Sequence, residues 1–381
     1  MRSEREERSC KDKVTLEIVS GVIFFVSTKI CHTGVTHDLY DIHVSHMNAS
    51  EVQQMKNKTI LITGGTGSWG WELVKQLLPQ QPKEIRIFSR NEALQVEMSH
   101  HFQDKRLRFM NGDIRDQEEL MQACQQVDYV YHLAALKHVP ICENQPYIAF
   151  KTNVIGTQNV IEAAIANRVQ KVIYVSTDKA SNPSSTYGMT KAIGERLIIQ
   201  ANTRDVSTRF VCVRSGNVLG STGSVIPLFK SQLQQGLDLG VTDGQMTRFF
   251  LSLEEAIHLL FTATHSSLGG ETFVLKMPSC RIMDIAEVLR EEAGAEGSRI
   301  VTIGMRPGEK RYEMLVSEME SDRAIDLNDQ YFVILPAFPQ EELQAYYAAY
   351  QSVDFSSFHS ESMVMTKEET RAMLRAGGFL S

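Results

Sequence analysis

The chain has 381 residues, 43% of them apolar and 22% charged, and 39 Lys and Arg against 46 Asp and Glu give a net charge of −7. Such a composition excludes a disordered chain, a collagen-like chain and a small disulfide scaffold, and at about 150 residues per domain the length predicts two or three domains. Without basic clusters the acidic balance also argues against nucleic-acid binding, which needs massed Lys and Arg, but it leaves room for an anionic small molecule.

Residues 1–13 are dense in charge, and the apolar run at Val22–Val26 is flanked by Glu17 and Lys29. It is far shorter than the roughly 20 apolar residues of a membrane span, so no membrane association is expected. No small-residue cleavage site follows it, which makes a signal peptide the weaker alternative. The character changes at Met55, where Met-Lys-Asn-Lys leads into an apolar strand. Residues 1–54 are therefore expected to be a poorly ordered extension, with Met55 the functional start. The six cysteines (Cys10, Cys31, Cys124, Cys142, Cys212 and Cys280) form no C-x-x-C pair and have no histidine at metal-ligand spacing. They read as reduced thiols of a cytoplasmic protein without a metal site.

Thr59–Ile62 reads as a buried strand running into Thr63-Gly-Gly-Thr-Gly-Ser-Trp-Gly70 and then a helical pattern over Trp71–Leu78. Gly64, Gly67 and Gly70 fall where a tight turn must bring backbone N–H groups of a helix N-terminus close to a pyrophosphate. Further strands are predicted at Ile85–Phe88, Leu107–Met110, Val127–Leu133, Lys171–Val175 and Phe210–Val213, with amphipathic helices between most of them. The alternation predicts an α/β fold, a doubly wound parallel sheet of Rossmann type. After the second strand, Ser89 and Arg90 stand where an NAD site usually places an acid. A hydroxyl and a cation suit a 2′-phosphate, so NADP is favoured over NAD. Asp113 is placed to reach the adenine.

Tyr187 and Lys191 form a Y-x-x-x-K pair on one helix face. The lysine, together with NADP⁺, is expected to lower the phenol pKa and make Tyr187 a proton acceptor for an alcohol. The pair follows Ser176-Thr177-Asp178-Lys179 at the end of the fifth strand. Oxidation of an alcohol needs only Tyr, Lys and a hydroxyl donor, for which Thr177 serves. The added Asp178 and Lys179 suggest a second proton-transfer step, elimination of water beside a newly formed ketone.

Together with Ala134-Ala-Leu-Lys-His-Val-Pro140, Lys151-Thr-Asn153, Gly216-Asn-Val218, Met246-Thr-Arg-Phe249 and Arg306-Pro-Gly-Glu-Lys310, these motifs resemble the extended short-chain dehydrogenase/reductase superfamily. Within it they are most similar to inverting UDP-N-acetylglucosamine 4,6-dehydratases, from about residue 56 to the C-terminus. The resemblance implies that NADP⁺ takes hydride from C4 of the sugar with Tyr187 and Lys191 assisting. Lys179 then removes the C5 proton, Asp178 helps expel the C6 hydroxyl, and hydride returns to C6 with inversion at C5. It also implies that Thr66, Gly67, Ser68, Trp69, Ser89, Arg90, Asp113, Ile114, Leu133, Ala134, Lys137 and Val218 contact NADP. Lys137, Asn217, Thr222, Arg248, Arg306 and Glu309 match positions around UDP-N-acetylglucosamine. The implied product is a UDP-2-acetamido-2,6-dideoxy-4-hexulose for surface glycan or nonulosonic acid synthesis, and the implied assembly is a homo-oligomer, dimer or hexamer. Ser215 and Thr222 depart from the pattern, replacing an aromatic residue and an arginine, and Trp69 stands where Phe is usual.

The expected organisation is an NADP-binding domain over 55–220, with 249–275 returning to it. A substrate lobe takes 221–248 and 276–330, and a C-terminal arm takes 331–381. Helices are predicted over Leu253–Thr264 and Ile282–Ala293, and Thr366-x-x-Glu369 reads as a capping box. The Ser-rich stretch 354–362 is expected to be ordered only against another subunit. Three other readings share these features. A 4-epimerase of the same fold needs Tyr187 and Lys191 but not Asp178 and Lys179. A C5- or C3-epimerase on the same sugar also fits. A non-catalytic NADP-binding sensor would keep the glycine loop and lose the Tyr or the Lys.

Overall fold

The computed structural model describes residues 13–19, 22–28, 55–204, 207–221 and 223–380. The chain divides into two units, Met1–His46 and Met47–Ser381. In the first, strands Lys13–Val19 and Val22–Thr28 pair antiparallel as a hairpin, with Val19 opposite Val22. The apolar run thus supplies the second strand. The rest of the N-terminal extension, with Cys10 and Cys31, lies outside the described residues. Met55 is fully buried in the core of the second unit.

The second unit is organised by a ten-stranded sheet. In chain order its strands are β1 (Thr59–Thr63), β2 (Glu84–Ser89), β3 (Leu107–Asn111), β4 (Tyr129–His132), β5 (Lys171–Val175), β6 (Arg209–Arg214), β7 (Thr272–Leu275), β8 (Ala324–Asn328), β9 (Tyr331–Ile334) and β10 (Gln351–Ser352). Their spatial order is β3-β2-β1-β4-β5-β6-β7-β9-β8-β10. The first seven are parallel and the last three antiparallel. This is the doubly wound order, whose reversal between β1 and β4 opens a crevice at the carboxyl ends of the strands.

Continuous apolar runs such as Thr59–Thr63, buried at every residue, fit strands covered on both faces. Ile60 and Ile62 pack on one side with Leu73, Val74 and Leu77 of helix Ser68–Leu77 and with Ile257 and Leu260 of helix Leu253–Ser266. Leu61 points to the other side, among Val130, Val160, Ile161, Val172 and Ile198. Ser252 and Glu255 close a capping box that starts helix Leu253–Ser266. The expected box at Thr366 and Glu369 also forms, starting helix Lys367–Ala376.

His132, at the end of β4, is buried between two hydroxyls, Thr63 Oγ1 at 2.7 Å from Nδ1 and Thr157 Oγ1 at 3.1 Å from Nε2. Burial, helped by the Lys191 charge, pushes its pKa down to about 3. Between that value and the ordinary 6.5 the unfolded chain binds a proton that the folded chain refuses, so stability falls as pH drops below 6.5. The expected loss is about 2 kcal/mol between pH 6.5 and pH 5, at ~1.4 kcal/mol per pH unit. Urea unfolding at pH 7 and pH 5 should show it, with a shallower loss in H132N.

The lobe has its own core, built from Ile226, Phe229, Val241, Phe250, Ile285 and Leu289 and closed by Leu374 of the last helix. A three-stranded sheet of Ser279–Arg281, Thr247–Leu251 and Asn217–Val218 joins it to the nucleotide-binding half. Two expectations change here. Residues 324–334, assigned to the end of the lobe and the start of the arm, form β8 and β9 of the large sheet. The segment 354–362 is ordered on its own chain. Phe358 packs against Phe249 and Phe332, strand Phe358–His359 pairs with Met314–Val316, and Ser360 is fully buried. Aromatic residues within a Ser-rich stretch supply the apolar anchor that composition alone conceals.

Candidate active site

A cleft of about 720 Å³ opens at the carboxyl ends of the parallel strands and extends under the lobe. Gly64 begins it with φ +69°, and a Cβ there would stand 2.7 Å from Cα of Ala134. Only glycine fits that turn. Helix Ser68–Leu77 starts at Gly67 without a side-chain cap, so its first-turn N–H groups are left for an anion. Gly70 does not line the cleft. Its missing side chain lets the helix touch the loop, since a Cβ would lie 2.0 Å from the Gly65 carbonyl oxygen. A cradle that a Cβ would fill, beside an uncapped helix start, fits a dinucleotide pyrophosphate.

Thr66, Ser68, Trp69, Ser89, Arg90, Asp113, Ile114, Leu133, Ala134, Lys137 and Val218 also line the cleft. Ser89 Oγ accepts from Gln95 Nε2 at 3.0 Å and keeps its own proton to donate. Arg90 is 59% exposed and only 3.8 Å from Asp113, a loose pairing. Asp113 is held far more tightly by Arg115, at 2.5 Å. Burial raises the Asp113 pKa, but the Arg115 hydrogen bonds and charge win, and its carboxyl stays below the ordinary range.

Tyr187 and Lys191 lie on helix Thr186–Ala201, which Ser185 caps. Lys191 Nζ donates to the Val175 carbonyl at 2.6 Å and sits 3.8 Å from the centre of the Tyr174 ring. Burial pulls its pKa down to about 7. Burial also pushes the Tyr187 phenol up to about 12, opposed first by the Lys179 charge and then by a hydrogen bond with Thr177. In the free enzyme the Lys179 charge is what most opposes the effect of burial on the Tyr187 phenol.

Thr177 caps the short turn Asp178–Ala180 and donates to Asp178 Oδ1 at 2.8 Å. Lys179 Nζ contacts the same oxygen at 3.0 Å. Lys179 lines the cleft, but the Asp178 carboxyl is completely covered, and its Oδ2 has no hydrogen-bond partner. Glu313, which the motif reading missed, completes the cluster at 3.5 Å from Lys179. Burial disfavours charge on Lys179, yet Asp178 and Glu313 outweigh it and hold the ammonium above its ordinary range.

Asn217, Arg248, Arg306 and Glu309 line the lobe side of the cleft. Arg248 is mostly a brace there, donating to the carbonyls of Thr247 at 2.7 Å and Lys310 at 2.8 Å. Arg306 is exposed and 3.9 Å from Glu309. Thr222 lies outside the described residues. Ser215 contributes its carbonyl, which accepts from the Asp178 N–H at 2.9 Å. Cys124, Cys142, Cys212 and Cys280 are buried free thiols. Among the described residues no helix is long and apolar enough to cross a membrane.

Comparison with known proteins is consistent with this geometry. The polysaccharide biosynthesis protein family matches residues 60–335. A UDP-N-acetylglucosamine 4,6-dehydratase (inverting) of Campylobacter jejuni is 43% identical over 284 residues, 74% of this chain and 83% of that one. A UDP-glucose 4-epimerase of Rickettsia canadensis is also 43% identical, over 281 residues, 72% of this chain and 82% of that one. The solved structure of Pen from Bacillus thuringiensis superposes with a TM-score of 0.81 at 40% identity, covering 86% of this chain and all of that one. A dTDP-glucose 4,6-dehydratase of Streptomyces venezuelae, solved with NAD bound, gives a TM-score of 0.61 at 26% identity, over 66% of this chain and 86% of that one.

Proposed function

We propose, because the chain belongs to the polysaccharide biosynthesis protein family, that it dehydrates UDP-N-acetylglucosamine across C5 and C6 with inversion at C5. The observation that carries this reading is the Asp178–Lys179 pair beside Tyr187 in a dinucleotide cleft. Interconversion at C4 alone needs the Tyr and the Lys. A second acid–base pair serves a second proton transfer, and elimination requires one.

Residues of the glycine turn, with Ser89, Arg90, Asp113 and Lys191, would hold NADP, which supplies reversible oxidation at C4. Tyr187 would take the proton of the C4 hydroxyl as its phenolate, the form that the Lys179 charge favours against burial. The resulting C4 ketone acidifies the C5 hydrogen. Lys179 Nζ lies 3.0 Å from Asp178 Oδ1, close enough for its proton to pass between them. Moving it to the aspartate would leave a neutral amine at the cleft to remove the C5 proton, and because the Asp178 carboxyl is covered, the proton that releases the C6 hydroxyl as water would pass from it through the Thr177 hydroxyl, 2.8 Å away and lining the cleft. Arg306 and Lys137 suit the diphosphate as cations at the cleft. The product class feeds surface glycan or nonulosonic acid synthesis.

A loosely paired, exposed Arg90 next to Ser89 suits a 2′-phosphate. R90A is expected to weaken NADP binding about tenfold or more, the effect of losing one charge-assisted hydrogen bond, and to leave NAD binding unchanged. Isothermal titration with both cofactors measures this.

The 4-epimerase reading is favoured by the Rickettsia relative. Incubation with UDP-N-acetylglucosamine in D₂O, read by proton NMR and mass spectrometry, separates the two. A dehydratase loses one water, gains deuterium at C5 and shows a C6 methyl signal. Epimerisation at C4 without loss of water would contradict the dehydratase reading.

A further inference from the structure

Glu313 is nearly fully buried, yet it carries a negative charge amid three cations. It lies 3.5 Å from Lys179, 3.1 Å from Lys310 and 3.9 Å from Arg248. Lys310, the nearest of the three, also donates to the Asn182 carbonyl at 2.7 Å. Arg248 is committed to backbone carbonyls. Lys179, the one of the three at the end of β5, is the partner whose charge the chemistry must change.

The backbone of Glu313 is fixed on both sides. Its N–H donates to Ser360 Oγ at 3.0 Å, and its carbonyl accepts from the Ser360 N–H at 2.8 Å. Ser360 in turn bonds Thr247 at 2.8 Å, next to Arg248. The tail therefore locks the glutamate against the cleft. Burying a carboxylate is costly unless it is paired, so the Glu313 charge depends on the cations around it.

We propose that Glu313 is a positioning residue that acts through Lys179, as a second counter-ion that places its ammonium and sets the pH at which it gives up its proton. This deepens the dehydratase reading, which gives Lys179 its role, but the electrostatic claim stands on the free protein. The charged groups facing Lys179 are Asp178 from its own turn, Glu313 from the segment before Met314–Val316, and Arg248 from Thr247–Leu251; Tyr187 faces it from helix Thr186–Ala201. The two carboxylates favour the protonated amine and Arg248 opposes them. Removing the Glu313 charge leaves Asp178 alone against Arg248, so Lys179 must deprotonate at lower pH.

The test is competitive acetylation of Lys179 with acetic anhydride over a pH series, quantified by mass spectrometry of the Lys179 peptide. Only the neutral amine reacts, so the rate reports its apparent pKa without any sugar turnover. E313Q is expected to lower that pKa by about one unit or more, a tenfold faster acetylation at a pH below it. E313D, which keeps the charge, is expected to restore most of the wild-type profile. Cofactor binding and circular dichroism verify that each variant folds. An E313Q profile identical to wild type, or an E313D profile shifted as far as E313Q, would overturn the proposal. A wild type inert towards UDP-N-acetylglucosamine sinks the dehydratase reading and leaves the acetylation result to decide this one.

Discussion

Replacing Lys179 with Met should abolish most dehydration while leaving dinucleotide binding intact. General acid–base groups contribute about 10²–10⁴-fold, and Lys179 is the member of the Asp178–Lys179 pair that lines the cleft, so a fall in kcat of about 10³ is expected. Met keeps the stem and removes the amine. The variant also leaves the buried Asp178 without its cation and Glu313 with only Lys310 and Arg248, so its melting temperature should fall as well. Deuterium entry at C5 in D₂O is the specific readout, because it requires the C5 proton to leave. Normal deuterium exchange in K179M would remove Lys179 from the proton-transfer role.

The largest stability effect is expected at Arg214, the last residue of β6. Its guanidinium is fully buried and contacts Glu195 at 2.6 Å, Glu320 at 2.9 Å and the Leu315 carbonyl at 2.7 Å. Burial raises the Glu320 pKa, but Arg214 overrides it and brings the carboxyl down to about 2. Glu320 also accepts from Ser181 Oγ at 3.0 Å, which ties this network to the loop carrying Asp178 and Lys179. Removing one partner of a buried ion network leaves uncompensated charge, and R214M should cost about 3–5 kcal/mol. Combining it with E195Q and E320Q should recover part of the loss, because no bare carboxylate then remains. Urea unfolding of the single and triple variants measures both. A single variant as stable as wild type would mean that water or relaxation solvates the carboxylates.

The parts of this structure legible in the sequence are those that speak locally. Thr59–Gly70 states a strand, a turn and a helix start in one run, and Tyr187 and Lys191 share a helix face by spacing alone. The first six parallel strands announce themselves as short apolar runs. Glu313 does not, because its meaning depends on Lys179 and Arg248, which lie far away along the chain. Nothing in Arg311-Tyr312-Glu313 reveals that the residue is buried. Asp178 was identifiable as a chemical group, but its complete burial was not, since that depends on packing around Ser215. Strands β8 and β9 were obscured because antiparallel additions to a parallel sheet follow no βα spacing. Phe355 and Phe358 carried the signal for the ordered tail, but their polar neighbours diluted it.

The most direct measurement uses UDP-N-acetylglucosamine carrying deuterium at C4, incubated with the enzyme in ordinary water. The label is expected to leave C4 and to appear in the C6 methyl group of a product one water lighter. Label retained on C4 of a product that has lost no water would contradict it and assign the chain to epimerisation.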